Sequence, residues 1–231
     1  MAEKITAIIV AAGSGTRMGG VINKVFLPLG ERTVIDYTIE AFSNVEEVSN
    51  IVLVTRECDI LESMEHIKTT AKRISIVKGG KSRQESVYLG LLQAADSDIV
   101  VIHDGARSLI TPSIIKNAIN DAKNFGASAV GVSAKDTIKI VDKDGYITQT
   151  LDRDYVINIQ TPQVFYYDKI LDCHQKAIKD SFLATDDCAL YEKYEGKIKV
   201  TAGSYDNIKI TTPDDLEVCE KILKKRNEGK V

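Results

Sequence analysis

The 231-residue sequence predicts an α/β fold with a mostly parallel, twisted sheet and helices on both of its faces. Two observations predict this class. Short apolar runs alternate with helical patterns along the chain, and each run is continuously apolar, as in strands that are buried on both faces. The length favours one large domain over residues 1–231, because such a chain buries roughly 70% of its unfolded surface.

The first half of the chain contains the apolar runs and helical patterns in regular alternation. Strands are predicted at Ile5–Val10, Ile51–Val54, Ile74–Val77, Ile99–Ile102 and Ala127–Val132. Helices are predicted at Thr33–Phe42, Ile60–Lys72, Gln84–Ala95 and Pro112–Asn124. The last of them has Thr111 as its expected cap. The arrangement is Rossmann-like, so ligands are expected at the carboxyl ends of the strands.

The pattern changes to strand-like alternation in residues 135–156, which predict a protruding β-hairpin arm. Asp144-Gly145 separates two alternating runs, and this dipeptide is a strong hairpin signal. Because a two-stranded hairpin alone is only marginally stable, the arm is expected to pack against a second subunit. Beyond it the sequence predicts helices and one strand: helices at Tyr167–Lys179, Thr185–Tyr194 (capped at Thr185) and Pro213–Lys225, and a strand at Lys197–Thr201.

Composition and charge exclude several classes of protein. The net charge of −3 does not indicate a nucleic-acid-binding surface. Four cysteines lie without C-x-x-C spacing, which argues against a zinc ribbon, a redox pair or a disulfide framework. No apolar run approaches the roughly 20 residues of a membrane span, and the strand beginning at Ile5 leaves no room for a signal peptide. A cytoplasmic protein without nucleic-acid or membrane partners is expected.

A loop of small residues follows the first predicted strand. It contains Ala11, Ala12, Gly13, Ser14 and Gly15, and its backbone N–H groups can approach an anion closely. Arg17 and Lys24 add two positive charges, so the segment favours a nucleotide triphosphate site. A tight βα turn explains the glycines alone equally well. The loop matches neither the dinucleotide fingerprint nor the Walker loop.

Two further predicted strands end in polar residues. Gly79-Gly80 allows close backbone approach to a base or ribose, while Ser82 and Glu85 have the spacing of a helix capping box. Asp104 follows a buried strand, where a carboxylate commonly holds Mg²⁺ together with substrate phosphates. A turn residue is the alternative explanation for Asp104, and an ion pair with it is the alternative for Arg107.

Several separated motifs together resemble the 2-C-methyl-D-erythritol 4-phosphate cytidylyltransferase family, from Ile5 to about Leu223. They are Ala11-Ala12-Gly13-x-Gly15-x-Arg17-Met18, Lys24, Gly79-Gly80-x-x-Arg83-x-x-Ser86-Val87, His103-Asp104-x-Ala106-Arg107, Asp136-Thr137, Asp152-Arg153, Thr161-Pro162-Gln163, Thr185-Asp186-Asp187 and Asp206-Asn207-Ile208-Lys209. The first motif is shared with sugar-phosphate nucleotidyltransferases in general. Asp152-Arg153 and the last motif point more narrowly to this family.

The resemblance implies an enzyme that transfers CMP from CTP to 2-C-methyl-D-erythritol 4-phosphate, releasing pyrophosphate, in the non-mevalonate isoprenoid pathway. It implies one nucleotidyltransferase domain, Mg²⁺ held by Asp104, and a homodimer formed through the arm, with Arg153 completing the neighbour's site. The implied catalytic residues are Arg17, Lys24, Arg153 and Lys209. The implied nucleotide contacts are Ala11, Ala12, Gly13, Gly80, Lys81, Ser86 and Ala106, and the implied acceptor contacts are Thr137, Arg153, Thr185 and Lys209.

The chain departs from the family's pattern near three of these positions. Asn23-Lys24-Val25 stands where the family usually has Pro-Lys-Gln, and loss of the proline is expected to free the loop that places Lys24. Gly105 and Ser108 replace an alanine and a proline, which is expected to loosen the turn at Asp104. Lys81 stands where acidic residues often occur.

Three alternative functions stay open at this stage. A cytidylyltransferase for another polyol phosphate, such as ribitol 5-phosphate, would share the nucleotide half of the site. A non-catalytic nucleotide-binding subunit is suggested by the altered segment around Lys24. An NAD-binding oxidoreductase has only the sheet pattern in its favour.

Overall fold

The computed structural model describes residues 3–13, 23–67 and 72–229, and it confirms the predicted α/β class. The strands are β1 (Ile5–Val10), β2 (Pro28–Leu29), β3 (Arg32–Thr33), β4 (Val48–Thr55), β5 (Arg73–Lys78), β6 (Ile99–Asp104), β7 (Ala127–Ser133), β8 (Lys139–Val141), β9 (Ile147–Thr150), β10 (Ile157–Tyr166) and β11 (Lys199–Ala202). The helices are α1 (Val34–Ser43), α2 (Ile60–His66), α3 (Arg83–Gln93), α4 (Pro112–Phe125), α5 (Tyr167–Lys179), α6 (Asp187–Tyr194) and α7 (Pro213–Asn227). Short 3₁₀ turns lie at Lys24–Phe26, Glu57–Asp59 and Arg153–Tyr155.

Within the described residues, seven strands form the main sheet in the order β11-β7-β10-β6-β1-β4-β5. β10 is antiparallel to both of its neighbours, and all other pairings in this sheet are parallel. The predicted mostly parallel sheet is therefore confirmed. Its carboxyl edge gathers the ends of β1, β4, β5 and β6, as expected for a fold that binds ligands at this edge.

The antiparallel strand β10 was not predicted from the sequence. Its middle contains Gln160, Pro162 and Gln163, and a proline inside a run normally argues against a central strand. The pairing of β10 with β7 is interrupted between Ile159 and Gln163, which allows the proline to sit there.

The core lies in two layers, one on each face of the sheet. Successive residues of β1 point to opposite faces, so Ile9 belongs to the same core layer as Ile35 and Ile119, whereas Ile8 belongs to the layer that contains Leu91. The first layer contains α1 and α4, and the second contains α3 and α5. Burial on both faces explains why these strands are continuously apolar in the sequence.

Six of the seven predicted helices differ from the structure at one or both ends, by one or two residues except in α2. α6 begins at Asp187 rather than at Thr185: its cap is Asp186, whose carboxylate accepts a hydrogen bond from the Ala189 N–H group at 3.0 Å. The later start places Asp187 in the first turn, where it pairs with Arg83. The predicted helix Ile60–Lys72 is too long, since α2 ends at His66; residues 68–71 lie outside the described part of the chain.

The arm is present as the predicted hairpin. β8 pairs antiparallel with β9, and every residue of both strands is exposed. Among the helices that the structure describes, none is long and apolar enough to cross a bilayer.

Candidate active site

A cavity of about 500 Å³ opens at the carboxyl ends of β1, β5 and β6. Loops that follow these strands line it, together with the turn at Lys24–Phe26 and the segment before α7. Ten of the residues singled out from the sequence lie in its wall: Ala11, Ala12, Gly13, Lys24, Gly80, Lys81, Ser86, Asp104, Ala106 and Lys209. Segments far apart in the chain are thus brought together at the edge of the sheet where a ligand was expected.

Four predicted site residues are not part of the described cavity wall. Arg17 lies outside the described residues, as do Ser14, Gly15, Thr16 and Met18. Thr137 is exposed near the start of the arm, and Thr185 is exposed before α6. Arg153 is exposed at the base of the arm, where its Nη1 atom donates to the carbonyl of Lys135 at 3.3 Å.

Asp104 forms the floor of the cavity. Its carboxylate accepts hydrogen bonds from Arg83 Nε at 3.1 Å and from Lys209 Nζ at 2.7 Å. Burial alone would raise the pKa of Asp104, but Arg83 and Lys209 outweigh it and hold the pKa well below its ordinary value. The suggested pair between Asp104 and Arg107 is wrong, because Arg107 Nη1 donates instead to the Asn207 carbonyl at 2.7 Å.

Arg83 joins Asp104 to a second buried carboxylate. Its Nη1 atom donates to Asp187 Oδ2 at 2.8 Å, and the other oxygen of Asp187 lies 3.1 Å from Nε2 of His174. Burial would lower the pKa of Arg83, but Asp187 and Asp104 outweigh it and raise the pKa above its ordinary value. The guanidinium therefore ties α3 and α6 to the cavity floor.

Arg83 belongs to one of the motifs named above, but no role was predicted for it from the sequence. One signal was available, because the first turn of a helix disfavours a positive charge through the helix dipole. A cation at that position indicates a nearby carboxylate or an anionic ligand.

A neutral histidine fixes the backbone at the end of β6. Buried His103 has Nδ1 at 3.0 Å from Thr161 Oγ1 and Nε2 at 3.2 Å from the Arg107 carbonyl. Burial lowers the pKa of His103 to about 3, so Nε2–H donates to that carbonyl and Nδ1 accepts from the threonine hydroxyl. The same hydroxyl oxygen accepts from the Asp104 N–H group at 3.1 Å. Thr161, from the antiparallel strand, thereby aligns the cavity floor.

The segment that carries Lys209 is held from both sides. Asn207 is fully buried, and its Nδ2 atom donates to Gln160 Oε1 at 3.0 Å and to the Thr161 carbonyl at 2.9 Å. One residue beyond Lys209, the Ile210 N–H group donates to the Ala106 carbonyl at 2.9 Å. Lys209 is consequently presented to Asp104 by a fixed backbone.

The turn after Asp104 is tightly packed, so the expectation that Gly105 and Ser108 loosen it is wrong. The Gly105 N–H group donates to the Val10 carbonyl at 2.9 Å, and its own carbonyl accepts from Thr38 Oγ1 at 3.0 Å. A Cβ atom at Gly105 would lie 3.2 Å from the Val10 carbonyl oxygen. Both Gly105 and Ser108 are buried.

The loops after β1 and β5 touch each other through a glycine. A Cβ atom at Gly79 would lie 2.3 Å from the Cβ of Ala12, so any side chain there would push the two loops apart. The Ser86 hydroxyl fixes the loop after β5: it accepts from the Gly80 N–H group at 3.1 Å and donates to the Ser82 carbonyl at 2.8 Å. Ser82 caps α3 as predicted.

Asn23 does not free the turn that places Lys24, contrary to the expectation from the missing proline. Its side chain is buried and donates to the Ala11 carbonyl at 2.7 Å. The turn is held by hydrogen bonds where the family usually has a proline.

The cavity suits a metal that is bound mainly by its substrate. Within residues 3–13, 23–67 and 72–229, no group of three or more His, Cys, Asp or Glu side chains could hold a metal ion. Mg²⁺ usually takes one or two carboxylates and completes its shell with phosphates and water. Asp104, ionised and in the cavity wall, fits this mode as a single protein ligand.

The family model described as IspD, 2-C-methyl-D-erythritol 4-phosphate cytidylyltransferase, matches residues 5–225 of the chain. The chain belongs to this family. The cytidylyltransferase of Clostridium novyi (strain NT) is 47% identical over 224 residues, covering 96% of this chain and 97% of that relative. The one from Caldanaerobacter subterraneus subsp. tengcongensis is 46% identical over 225 residues, covering 96% and 99%. A crystal structure of 4-diphosphocytidyl-2C-methyl-D-erythritol synthase from Anaerococcus prevotii DSM 20548 superposes with a TM-score of 0.88 at 36% identity, covering 96% and 97%.

The cavity of this cytidylyltransferase is positively charged although the chain is acidic overall. Its described wall contains four cationic residues, Lys24, Lys81, Arg83 and Lys209, against the single carboxylate of Asp104. The net charge of the whole chain is −3. Such a local excess of positive charge attracts a polyanionic nucleotide.

Proposed function

We propose that this enzyme transfers CMP from CTP to 2-C-methyl-D-erythritol 4-phosphate. The products are 4-diphosphocytidyl-2-C-methyl-D-erythritol and pyrophosphate, and the reaction belongs to non-mevalonate isoprenoid biosynthesis. The observation that carries the proposal is the cationic cavity at the carboxyl edge of the sheet, in a chain that matches this family over residues 5–225. A triphosphate and a sugar phosphate are both anionic, and the cationic side chains of the cavity would balance their negative charge.

The chemistry needs positioning more than proton transfer. A phosphate oxygen of the acceptor attacks the α-phosphorus of CTP, and the bond to the leaving pyrophosphate breaks as the new P–O bond forms. Because the attacking phosphate is already anionic, no general base is required. The protein then contributes alignment and charge stabilisation. In this proposal Lys24 and Arg17 stabilise charge on the α-phosphate and on pyrophosphate.

The nucleotide is proposed to lie between the loops after β1 and β5. Ala11, Ala12 and Gly13 leave the first loop without bulky side chains, so its backbone can approach the phosphates closely. The base and ribose are assigned to Gly80, Lys81, Ser86 and Ala106, which line the same cavity.

We further propose Mg²⁺, or another divalent cation, as the cofactor, with Asp104 as its protein ligand. When bound, the ion neutralises part of the triphosphate charge and helps to orient it. Arg83 and Lys209 keep Asp104 ionised and fixed in the cavity floor. Lys209 also provides a cation for the acceptor phosphate.

The acceptor half of the site is proposed to be completed in a homodimer. Arg153, Thr137 and Thr185 are exposed and away from the described cavity wall, as residues that serve a neighbour's site would be. The arm at 135–156 exposes apolar side chains that need a partner: Ile140, Val141, Tyr146 and Ile147. A single domain over residues 1–231 and a cytoplasmic location complete the proposal.

Pyrophosphate release from CTP and Mg²⁺ tests the function, with 2-C-methyl-D-erythritol 4-phosphate in one sample and ribitol 5-phosphate in another. We expect release only in the first. Lys209→Ala should weaken use of the acceptor while CTP binding is nearly unchanged. Lys221→Ala, at an exposed position of α7, is the matched control and should change neither.

Other results would overturn parts of the proposal. Release only with ribitol 5-phosphate would keep the chemistry and replace the acceptor. CTP binding without release in either sample would favour a non-catalytic nucleotide-binding protein. Loss of CTP affinity in Lys209→Ala, before any loss of acceptor use, would contradict the assignment of Lys209.

A further inference from the structure

We propose that Asn23 is a positioning residue, which aligns Lys24 with the nucleotide loop by bridging the Ala11 carbonyl to the buried carboxylate of Asp59. The inference rests on the proposed function, because there Lys24 acts on the triphosphate. Asn23 takes no part in the reaction itself; it acts through the residue that follows it.

The side chain of Asn23 is bound at three points. Its Nδ2 atom donates to the Ala11 carbonyl at 2.7 Å and to Asp59 Oδ2 at 2.9 Å. Its Oδ1 atom accepts from the Val25 N–H group at 3.4 Å, which caps the 3₁₀ turn containing Lys24. Only 1% of Asn23 is exposed, so these groups depend on one another rather than on water.

The far end of this bridge is itself fixed. Asp59 is buried at the end of a 3₁₀ turn that follows β4, and Arg56 pairs with it through Nε at 2.5 Å and Nη2 at 2.8 Å. Burial would raise the pKa of Asp59, but the hydrogen bonds from Arg56 and Asn23 outweigh it and lower the pKa. The carboxylate is thus a charged acceptor held in a two-point pair.

The near end is fixed by the sheet. The Ala11 N–H group donates to the Val54 carbonyl at 2.7 Å, so the first residue of the nucleotide loop still follows the register of β1 against β4. Asn23 therefore bridges two fixed segments that follow the neighbouring strands β1 and β4, and it holds the turn that contains Lys24 against both.

Few side chains could replace Asn23 here. Aspartate has the same shape but would place a carboxylate against the Ala11 carbonyl and Asp59. Leucine has a similar volume but would leave both acceptors and the Val25 N–H group without their partner. Since Lys24 is the next residue, a small rotation of the turn moves its ammonium group, and a displacement of about 1 Å can cost roughly 10²-fold in rate.

The test is a kinetic double-mutant cycle with Asn23→Leu and Lys24→Ala. We expect Asn23→Leu alone to lower kcat roughly 10²-fold, with little change in KM for the acceptor. In the Lys24→Ala background the same substitution should lower kcat less than about 3-fold, because its effect passes through Lys24. Asn117→Leu, at an exposed position of α4, is the matched control and should leave kcat unchanged.

Two results would overturn the proposal. One is an unchanged kcat in a folded Asn23→Leu enzyme, and the other is a double variant whose loss of kcat equals the product of the two single losses. Far-ultraviolet circular dichroism and thermal unfolding establish that each variant is folded. If Asn23→Leu fails to fold, Asn23→Asp replaces it in the cycle, with the same expected pattern.

Binding of CTP and of cytidine, measured by calorimetry, separates this inference from the proposed function. We expect Asn23→Leu to weaken the binding of CTP about 10-fold and to leave the binding of cytidine unchanged. In the Lys24→Ala background, Asn23→Leu should weaken the binding of CTP no further. These measurements need no turnover, so they decide the role of Asn23 even if no acceptor is used. Equal loss of both ligands would contradict a role through Lys24.

Discussion

At the floor of the cavity Arg83 joins two buried carboxylates, Asp104 and Asp187, whereas the strands of the arm at 135–156 are exposed along their whole length. The floor residues contribute to stability, because each charge is paired inside the protein, and in the proposed function Asp104 also holds the metal. The arm residues contribute little to the stability of a single chain. Substitutions in the floor should therefore change the free energy of unfolding, and those in the arm should change function alone.

The largest effect is expected for Asp187→Ala. Removing this carboxylate leaves His174 without its buried partner and leaves Arg83 paired with Asp104 alone, and breaking a buried pair costs about 3–5 kcal/mol. Asp172→Ala is the control, since Asp172 pairs with Lys176 at the surface, where an ion pair contributes about 0–1 kcal/mol. Urea unfolding of both variants measures the difference. Similar losses of the free energy of unfolding in the two variants would contradict the expected difference between buried and exposed ion pairs.

A second effect, spread over several pH units, is expected through His103. Its ordinary pKa is 6.5 and burial lowers it to about 3, so between these values the unfolded chain binds more protons. Stability should fall as pH falls through this window, by up to about 1.4 kcal/mol per pH unit. Asp104 and Asp187, whose pKa values are lowered, add a further loss below about pH 3.8.

Urea unfolding of the wild type and of His103→Asn at pH 7, 6, 5 and 4 checks this prediction. The variant keeps hydrogen-bonding groups at residue 103 but cannot titrate, so its stability should depend less steeply on pH. Parallel curves for the two proteins would show that His103 is not the source.

The smallest effect on stability is expected for Arg153→Ala in the arm base. Because Arg153 is exposed, the free energy of unfolding should change by no more than about 0.5 kcal/mol. By contrast, KM for 2-C-methyl-D-erythritol 4-phosphate should rise, while KM for CTP stays nearly constant. A loss of more than about 1 kcal/mol in the free energy of unfolding, or a rise in KM for CTP before any rise in KM for the acceptor, would contradict the contrast between the arm and the cavity floor.

The local pattern of apolar and polar residues was sufficient to predict most of the helices and strands. The bounds of β1 and α5 were predicted to the residue, because long apolar periodicity and clear ends determine them. β10 escaped prediction since its strand conformation comes from two neighbouring strands rather than from its own composition. The predicted start of α6 was wrong because Asp186, rather than Thr185, caps the helix, and Gln163, which donates to the Asp186 carboxylate, lies outside any local window.

The wall of the cavity was predictable, but its supports were not. Motifs at strand ends identified residues such as Gly80 and Asp104, whose positions follow from the topology of the sheet. The bridge from Asn23 to Asp59 joins residues 36 positions apart, and no periodic pattern in the sequence predicts it. Judged by the missing proline alone, the turn at Lys24 was expected to be loose, and the opposite is true.

The separation of the floor contacts along the chain sets when the cavity can form. Arg83 meets Asp187 across 104 positions, and Arg107 meets Asn207 across 100. At synthesis rates of about 5–20 residues per second, roughly 100 residues take about 5–20 s to appear. During that time the strands β1, β4, β5 and β6 have been synthesised, but the residues that pair with Arg83 and Arg107 have not. Contacts between residues so far apart in the sequence also form slowly. The wall of the cavity is therefore incomplete until Lys209, which lines it from a late part of the sequence, has been synthesised.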